Sequence, residues 1–306
     1  MQYVELGTTG LQISRIGFGC AAIGGYDYGV VDDGKSALAV RAALQAGINF
    51  FDTAAVYGFG HAEELLASAL GADRHEAVIA TKGGVEWDQS GRTRRTLSPR
   101  VIRAGVERSL ARLRLDAIPL FQLHWPDPRT PAEAVAECLT RLIEEGKIRF
   151  VGVCNFSSTD IHELQKHIPV HSLQAAFSVT EREHESSLRK SRASMGLTSM
   201  AYNVLARGFF GGAYRSAADF SGTDTRRVSH LFRGDQLERN LKVLRLLEQT
   251  AGHTGLTTSS VAIGWVLDSG VVDCAIVGAK TEAQVVDNVR IMNEAILRQT
   301  FDLRID

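Results

Sequence analysis

The chain has 306 residues, 44% of them hydrophobic and 23% charged, with 34 basic against 35 acidic side chains for a formal net charge of −1. That composition suits a globular protein with a large core, and the near-zero charge removes any electrostatic case for nucleic acid or an anionic membrane as partner. Cys20, Cys138, Cys154 and Cys274 are scattered and read as buried reduced thiols, and neither a signal-peptide pattern nor an apolar run of membrane length is present, so a cytoplasmic location is expected.

The first residues, Tyr3-Val-Glu-Leu6 and Leu11-Gln-Ile-Ser14, flank Gly7-Thr-Thr-Gly10 and read as a β-hairpin. From there the chain alternates short apolar runs with amphipathic stretches. The runs cover Arg15–Cys20, Asn49–Ala54, Ala77–Lys82, Ala117–His124, Arg149–Asn155, Ser172–Ser178, Leu197–Asn203 and Cys274–Ala279. They are continuously apolar, which strands covered on both faces require. Between them, apolar residues recur at helical spacing, as in Ala37, Val40, Leu44 and in Ile102, Val106, Leu110, Leu113. Ser98-Pro99 has the form of an N-cap followed by a first-turn proline. Gly47, Gly71, Gly146 and Gly196 stand where helices should end.

Eight such units predict one closed (β/α)8 barrel spanning residues 1–306, an α/β fold with the hairpin capping its bottom. Two segments are long for loops, Gly83–Leu97 and Val204–Asp235. Both follow strands, so both belong on the rim that carries chemistry.

Four polar residues fall at or just beyond strand ends: Asp52, Tyr57, Lys82 and His124. Singly, each has an ordinary structural role; together on consecutive strands they make a proton-handling site needing neither metal nor thiol. Reduction of a carbonyl requires a proton donor as hydride arrives. A free phenol is too weak an acid to shuttle protons well at neutral pH, and a neighbouring ammonium is expected to lower its pKa. Asp52 would hold Lys82, and His124 would orient the carbonyl oxygen.

Several motifs in order carry a resemblance to a known family. They are Gly47-Ile-Asn-Phe-Phe-Asp-Thr-Ala-Ala-Val-Tyr-Gly58, Glu63-Glu-Leu-Leu66, Ala80-Thr-Lys82, Val106-Glu-Arg-Ser-Leu-Ala-Arg-Leu113, Leu123-His124 with Pro126-Asp-Pro128, Glu145-Gly-Lys-Ile-Arg149, Val151-Gly-Val-Cys-Asn-Phe156, Leu205-Ala-Arg-Gly208 and the run from Ile276 to Asn288. The chain resembles the aldo-keto reductase superfamily over essentially its whole length. The resemblance implies a barrel oxidoreductase using NAD(P)H, with Asp52, Tyr57, Lys82 and His124 as its tetrad. It further implies cofactor contacts by Asn155 and Gln174 on the nicotinamide amide, by Leu205 and Gly208 over the pyrophosphate, and by Gly278, Lys280, Thr281, Gln284 and Asn288 at the adenosine-phosphate end.

Lys280 next to a helix N-terminus suits a 2′-phosphate, which favours NADP(H) over NAD(H). Departures from the family pattern are Cys154 in place of a serine, Tyr202-Asn203-Val204 in place of Tyr-Ser-Pro, Asp287 in place of Glu and Ala175-Ala176-Phe177 after Gln174. Tyr26, Tyr28, Phe59, Trp87, Trp125 and Phe209 are expected on rim loops as walls of a substrate pocket.

Two decoys are set aside. Gly17-Phe-Gly-Cys-Ala-Ala22 imitates a dinucleotide fingerprint, but the next helix is expected only near Asp32-Asp33. His162 and His167 are five apart, so they do not share a helix face as a zinc pair would. The expected activity is NADP(H)-dependent reduction of an aldehyde or ketone, with sugars and secondary-metabolite carbonyls among the candidates. The rivals are an NAD-dependent sugar dehydrogenase and a non-catalytic NADP(H)-binding subunit. The physiological substrate and the oligomeric state are left open.

Overall fold

A computed structural model describes residues 1–26 and 28–293. The chain opens with the hairpin β1 (Tyr3–Glu5) and β2 (Gln12–Ser14), paired antiparallel. Then follow β3 (Ile16–Gly19), α1 (Asp33–Gln45), β4 (Phe50–Asp52), α2 (His61–Leu70) and β5 (Val78–Gly83). A second hairpin, β6 (Val85–Trp87) and β7 (Thr93–Arg95), precedes α3 (Pro99–Leu113), β8 (Ile118–Leu123), α4 (Ala132–Glu144) and β9 (Ile148–Cys154). The remainder is α5 (Ser158–Gln165), β10 (Ser172–Ala176), α6 (Glu185–Ser194), β11 (Thr198–Tyr202), α7 (Gly234–Thr254), α8 (Thr258–Asp268), β12 (Cys274–Gly278) and α9 (Glu282–Val289).

Eight parallel strands close in the order β3-β4-β5-β8-β9-β10-β11-β12, with β12 pairing back to β3. Six lie within the apolar runs read from the sequence, and β5 and β9 each overrun theirs by one residue, at Gly83 and Ile148. The barrel has two apolar compartments. The larger packs the outer faces of the strands against the helices. The smaller fills the interior with Phe50, Val78, Leu120, Met200 and Ile276, and Leu6 and Ile13 of the first hairpin join it fully buried. The Gly7 amide donates to Thr198 Oγ1 at the start of β11 (2.6 Å), so the hairpin closes the end of the barrel opposite the C-terminal ends of the strands.

Local chemistry sets the element ends. Asp32 caps α1 by accepting from the Lys35 amide, and Thr281 caps α9 by accepting from the Gln284 amide. Gly47, Gly71, Gly146 and Gly196 all have positive φ. Ser98 does occupy the N-cap of α3 before Pro99, but its side chain makes no capping bond. On α1 the buried stripe is Ser36, Ala39, Val40 and Ala43, one step from the expected Ala37, Val40, Leu44; Ala37 and Leu44 pack only partly.

The segment Gly83–Leu97 is largely the β6–β7 hairpin, and Val204–Asp235 is folded into four short 3-10 turns before α7. Among the described residues no helix is long and apolar enough to cross a membrane, and no group of metal-ligating side chains converges. His162 and His167 are both exposed.

Candidate active site

Three neighbouring strands bring the four residues together at one rim. Asp52 is the last residue of β4, Lys82 lies in β5, and His124 directly follows β8. Tyr57 begins the tight turn that leads from β4 into α2. That turn requires Gly58, because a Cβ there would lie 1.9 Å from the Gly24 carbonyl oxygen. Behind it, Glu63 of α2 is fully buried, accepting from Thr81 Oγ1 (2.6 Å) and from Arg112 Nε (2.6 Å). Thr81 adjoins Lys82, so this network ties the tyrosine-bearing turn to the lysine-bearing strand.

The Lys82 ammonium donates to Asp52 Oδ2 at 2.6 Å, to the Thr53 carbonyl at 3.0 Å and to the Tyr57 hydroxyl at 3.4 Å. The other Asp52 oxygen accepts from Gln174 Nε2 (2.7 Å) and Gln122 Nε2 (3.2 Å). The carboxylate is therefore fully hydrogen-bonded, which a buried charge demands. The rings of Tyr57 and His124 meet edge to face, with centroids 6.0 Å apart.

Burial pulls hardest on the Lys82 pKa and lowers it, but Asp52, Tyr57 and Cys154 together hold it above the usual lysine value. The ammonium is thus charged throughout the neutral range. Burial raises the Tyr57 pKa above that of a free phenol. Lys82 pulls it down, as expected from the sequence, but does not win: desolvation, with Asp52 and Cys154, leaves the phenol protonated. Burial, then Lys82, then Arg95, lower the His124 pKa well below its ordinary value, so the imidazole is neutral. Among the described residues, His124 Nδ1 is buried without a hydrogen-bond partner. The site therefore holds a protonated phenol, a fixed cation and a neutral imidazole.

The residues assigned to the nicotinamide lie beside this group. Asn155, with φ of 63°, donates to the His124 carbonyl (3.2 Å) and accepts from the Tyr202 hydroxyl (2.9 Å). Cys154 takes the place of the serine with weak bonds: its thiol faces Gln174 Oε1 at 3.7 Å and accepts from Asn155 Nδ2 at 3.3 Å. Gln174 is 1% exposed and spends its amide on Asp52 and Cys154, so here it acts on the tetrad from behind.

Leu205 and Gly208 fall in a tight turn headed by Asn203, whose φ of 61° is left-handed. Asn203 Oδ1 accepts from the Arg207 amide (2.7 Å), and its Nδ2 donates to Glu181. The Asn203 departure thus has a local reason, since asparagine tolerates this backbone better than other non-glycine residues.

At the other end of the rim, Gly278 is exposed, Lys280 precedes the cap of α9, and Gln284 and Asn288, four apart, share one face of that helix. The Gln284 side chain accepts from the Lys280 amide (2.7 Å), Thr281 caps the helix, and Asn288 is buried. The Lys280 ammonium donates to the Tyr28 carbonyl (2.7 Å). Arg207, Arg226 and Lys280 surround the Tyr28 ring at 5.2, 5.2 and 6.0 Å. Asp224 holds Arg226 with a charge-paired contact at 2.7 Å. Three cations gathered here, one of them paired with Asp224, suit the pyrophosphate and phosphate groups of a dinucleotide, so the donor set fits a nicotinamide cofactor.

The six aromatics expected around a substrate divide. Tyr26, Phe59 and Trp87 stack in series, with centroids 4.7 and 5.6 Å apart. Trp125 lies parallel to His124. Tyr28 belongs instead to the cation cluster, away from the tetrad's aromatic wall. Phe209 corrects the expectation outright: it is 0% exposed and packs on Phe210 and Phe232 in the core, because the turn around Gly208 directs it inward. Gln122, Arg226 and Arg95 carry no sequence signal of their own, since their place at the site comes from contacts with Asp52, Tyr28 and Trp125 far away in the chain.

The Aldo/keto reductase family model matches residues 15–303. Aldo-keto reductase YhdN of Bacillus subtilis (strain 168) is 35% identical over 287 residues, 93% of this chain and 86% of that protein. Probable aldo-keto reductase 1 of Glycine max is 30% identical, over 88% of this chain and 78% of its own. The solved structure of the glycerol dehydrogenase AKR11B4 from Gluconobacter oxydans superposes with a TM-score of 0.84 at 34% identity, covering 94% of this chain and 90% of that one. The holo form of aldo-keto reductase AKR11C1 from Bacillus halodurans gives 0.78 at 27%, covering 96% and 91%. With its barrel and these matches along its length, the chain belongs to the aldo/keto reductase family and is an NAD(P)H-dependent oxidoreductase.

Proposed function

We propose that this oxidoreductase reduces an aldehyde or ketone to the alcohol with NADP(H), and that Tyr57 is its general acid. The observation that carries the reading is the buried chain Asp52–Lys82–Tyr57, in which one ammonium joins carboxylate and phenol at 2.6 and 3.4 Å. A reduced nicotinamide, when bound, supplies the hydride that reaches the carbonyl carbon. Tyr57 gives its hydroxyl proton to the carbonyl oxygen as the new C–H bond forms. The phenolate left behind rests against Lys82, whose charge stabilises it until solvent returns the proton. Asp52 keeps the ammonium in place, and Gln122 and Gln174 keep Asp52 in place. The neutral His124 donates one N–H to the same carbonyl oxygen, aligning it with the phenol.

The cation cluster around Tyr28, with Lys280 in it, supports NADP(H) over NAD(H). Fluorescence titration with NADPH and NADH, on the wild type and on Lys280→Met, tests this. NADPH should bind more tightly to the wild type, and Lys280→Met should narrow that gap. Equal affinity of the wild type for both would refute the preference.

A second reading runs the same residues backwards, as an NAD-dependent dehydrogenase of a sugar or polyol. The likeness to a structure titled glycerol dehydrogenase favours it. Initial rates in both directions with both cofactors separate the two.

A further inference from the structure

The β6–β7 hairpin stands beside the tetrad with two unlike faces. Side chains alternate along a strand, and the cross-strand pair Glu86–Arg94 forms an ion pair on one face at 2.5 Å. The other face carries Trp87, packed on Phe59, and Arg95. The neighbouring arginines each have a carboxylate partner: Arg92 has Asp88, Arg94 and Arg100 share Glu86, and Arg129 has Asp127. Arg95 differs. Among the described residues its guanidinium has no carboxylate partner and no hydrogen bond.

Its position is nonetheless fixed. The guanidinium carbon lies 3.6 Å from the centre of the Trp125 ring, a contact that holds a cation without cancelling its charge. The backbone beneath is pinned, with the Arg95 carbonyl accepting from Arg129 Nη2 at 2.7 Å and the Leu97 amide donating to the buried Asp127 at 3.0 Å. Trp125 in turn lies parallel to His124, with ring centroids 6.2 Å apart and planes 16° apart. Two contacts in series thus place an uncompensated, exposed cation within a small molecule's length of the imidazole. Its charge is felt there, for Arg95 is one of the groups that hold His124 neutral.

We propose that Arg95 is a specificity residue that selects carbonyl substrates bearing an anionic group, a carboxylate or a phosphate, a few bonds from the carbonyl carbon. A carbonyl oxygen held by Tyr57 and His124 would let the rest of such a substrate run along the edge of Trp125 to the guanidinium. A planar fork of five N–H donors is matched to carboxylate and phosphate oxygens. The preferred class is therefore short oxo-acids or phosphorylated aldehydes and ketones, in place of neutral ones. The inference rests on the carbonyl-reducing reading of the rim.

Steady-state kinetics with NADPH on matched pairs tests it: succinic semialdehyde against butanal, and glyceraldehyde 3-phosphate against glyceraldehyde. The wild type should favour the anionic member of at least one pair in kcat/KM by about 10- to 100-fold, the range of a charge-assisted contact. The pair with the larger preference identifies carboxylate or phosphate. Arg95→Gln should collapse that ratio toward one, mainly by raising KM for the anion, and Arg95→Lys should restore part of it. Added salt should shrink the wild-type preference. A wild-type ratio near one in both pairs, or a ratio left intact by Arg95→Gln, overturns the proposal. Failure to turn over any aldehyde in either direction would instead strike the reductase reading itself.

Discussion

The Lys82 ammonium and the Asp52 carboxylate form a 2.6 Å ion pair whose side chains are 0% and 3% exposed. Removing one member of a buried pair strands the other charge, at a cost of about 3–5 kcal/mol. Lys82→Met is therefore expected to lower the thermal midpoint by several degrees as well as to abolish turnover. A Lys82→Met variant that melts with the wild type would show that Asp52 is either solvated or protonated, contrary to the network described.

Asn203 holds its turn through two separable effects, a left-handed backbone and a side chain that bridges the Arg207 amide and Glu181. Asn203→Gly keeps the backbone and loses the bridge. Asn203→Ala loses both, adding about 1–2 kcal/mol of backbone cost. Thermal melts should rank wild type above Asn203→Gly above Asn203→Ala, and NADPH titration should follow the same order if this turn contacts the cofactor. Equal melting of the two variants would remove backbone strain from the explanation.

Glu181 is a carboxyl whose pKa burial pushes up to about 7, with Glu183 adding to the rise and Arg207 and the Asn203 hydrogen bond opposing it. Its unfolded value lies near 4.5. Between these values the folded chain holds more protons than the unfolded one, so Glu181 costs stability progressively as pH rises from about 4.5 to 7. Glu181→Gln keeps an acceptor for Asn203 and cannot ionise. The variant should gain in thermal midpoint relative to the wild type at pH 8, and that gain should shrink at pH 5. A difference independent of pH would mean that Glu181 titrates normally.

Much of this architecture was legible because barrel strands buried on both faces are written as short apolar runs. Strong caps such as Asp32 and Thr281, and glycines with positive φ such as Gly47 and Gly146, mark where helices begin and end. The four rim residues could be grouped because strand ends in such a barrel share one face. The errors arose where burial or long-range pairing decides. Phe209 sits in a loop by sequence, yet the turn at Gly208 sends it into the core. By sequence Lys82 makes Tyr57 more acidic, but the desolvation of the phenol, invisible in a string of letters, outweighs it. Gln122 and Gln174 meet on Asp52 from strands far apart in the chain, and Arg95 reads as one more surface arginine until its neighbours are seen to be paired.

The most direct test of the central claim is the single-residue change Tyr57→Phe, with turnover and NADPH binding measured on the same preparation. A general acid contributes about 10²–10⁴-fold to rate. The variant is expected to lose at least that much in kcat while NADPH binds within a few-fold of the wild type. Turnover near the wild-type rate would show that another group delivers the proton, and the roles assigned to Lys82, Asp52 and His124 around Tyr57 would fall with it.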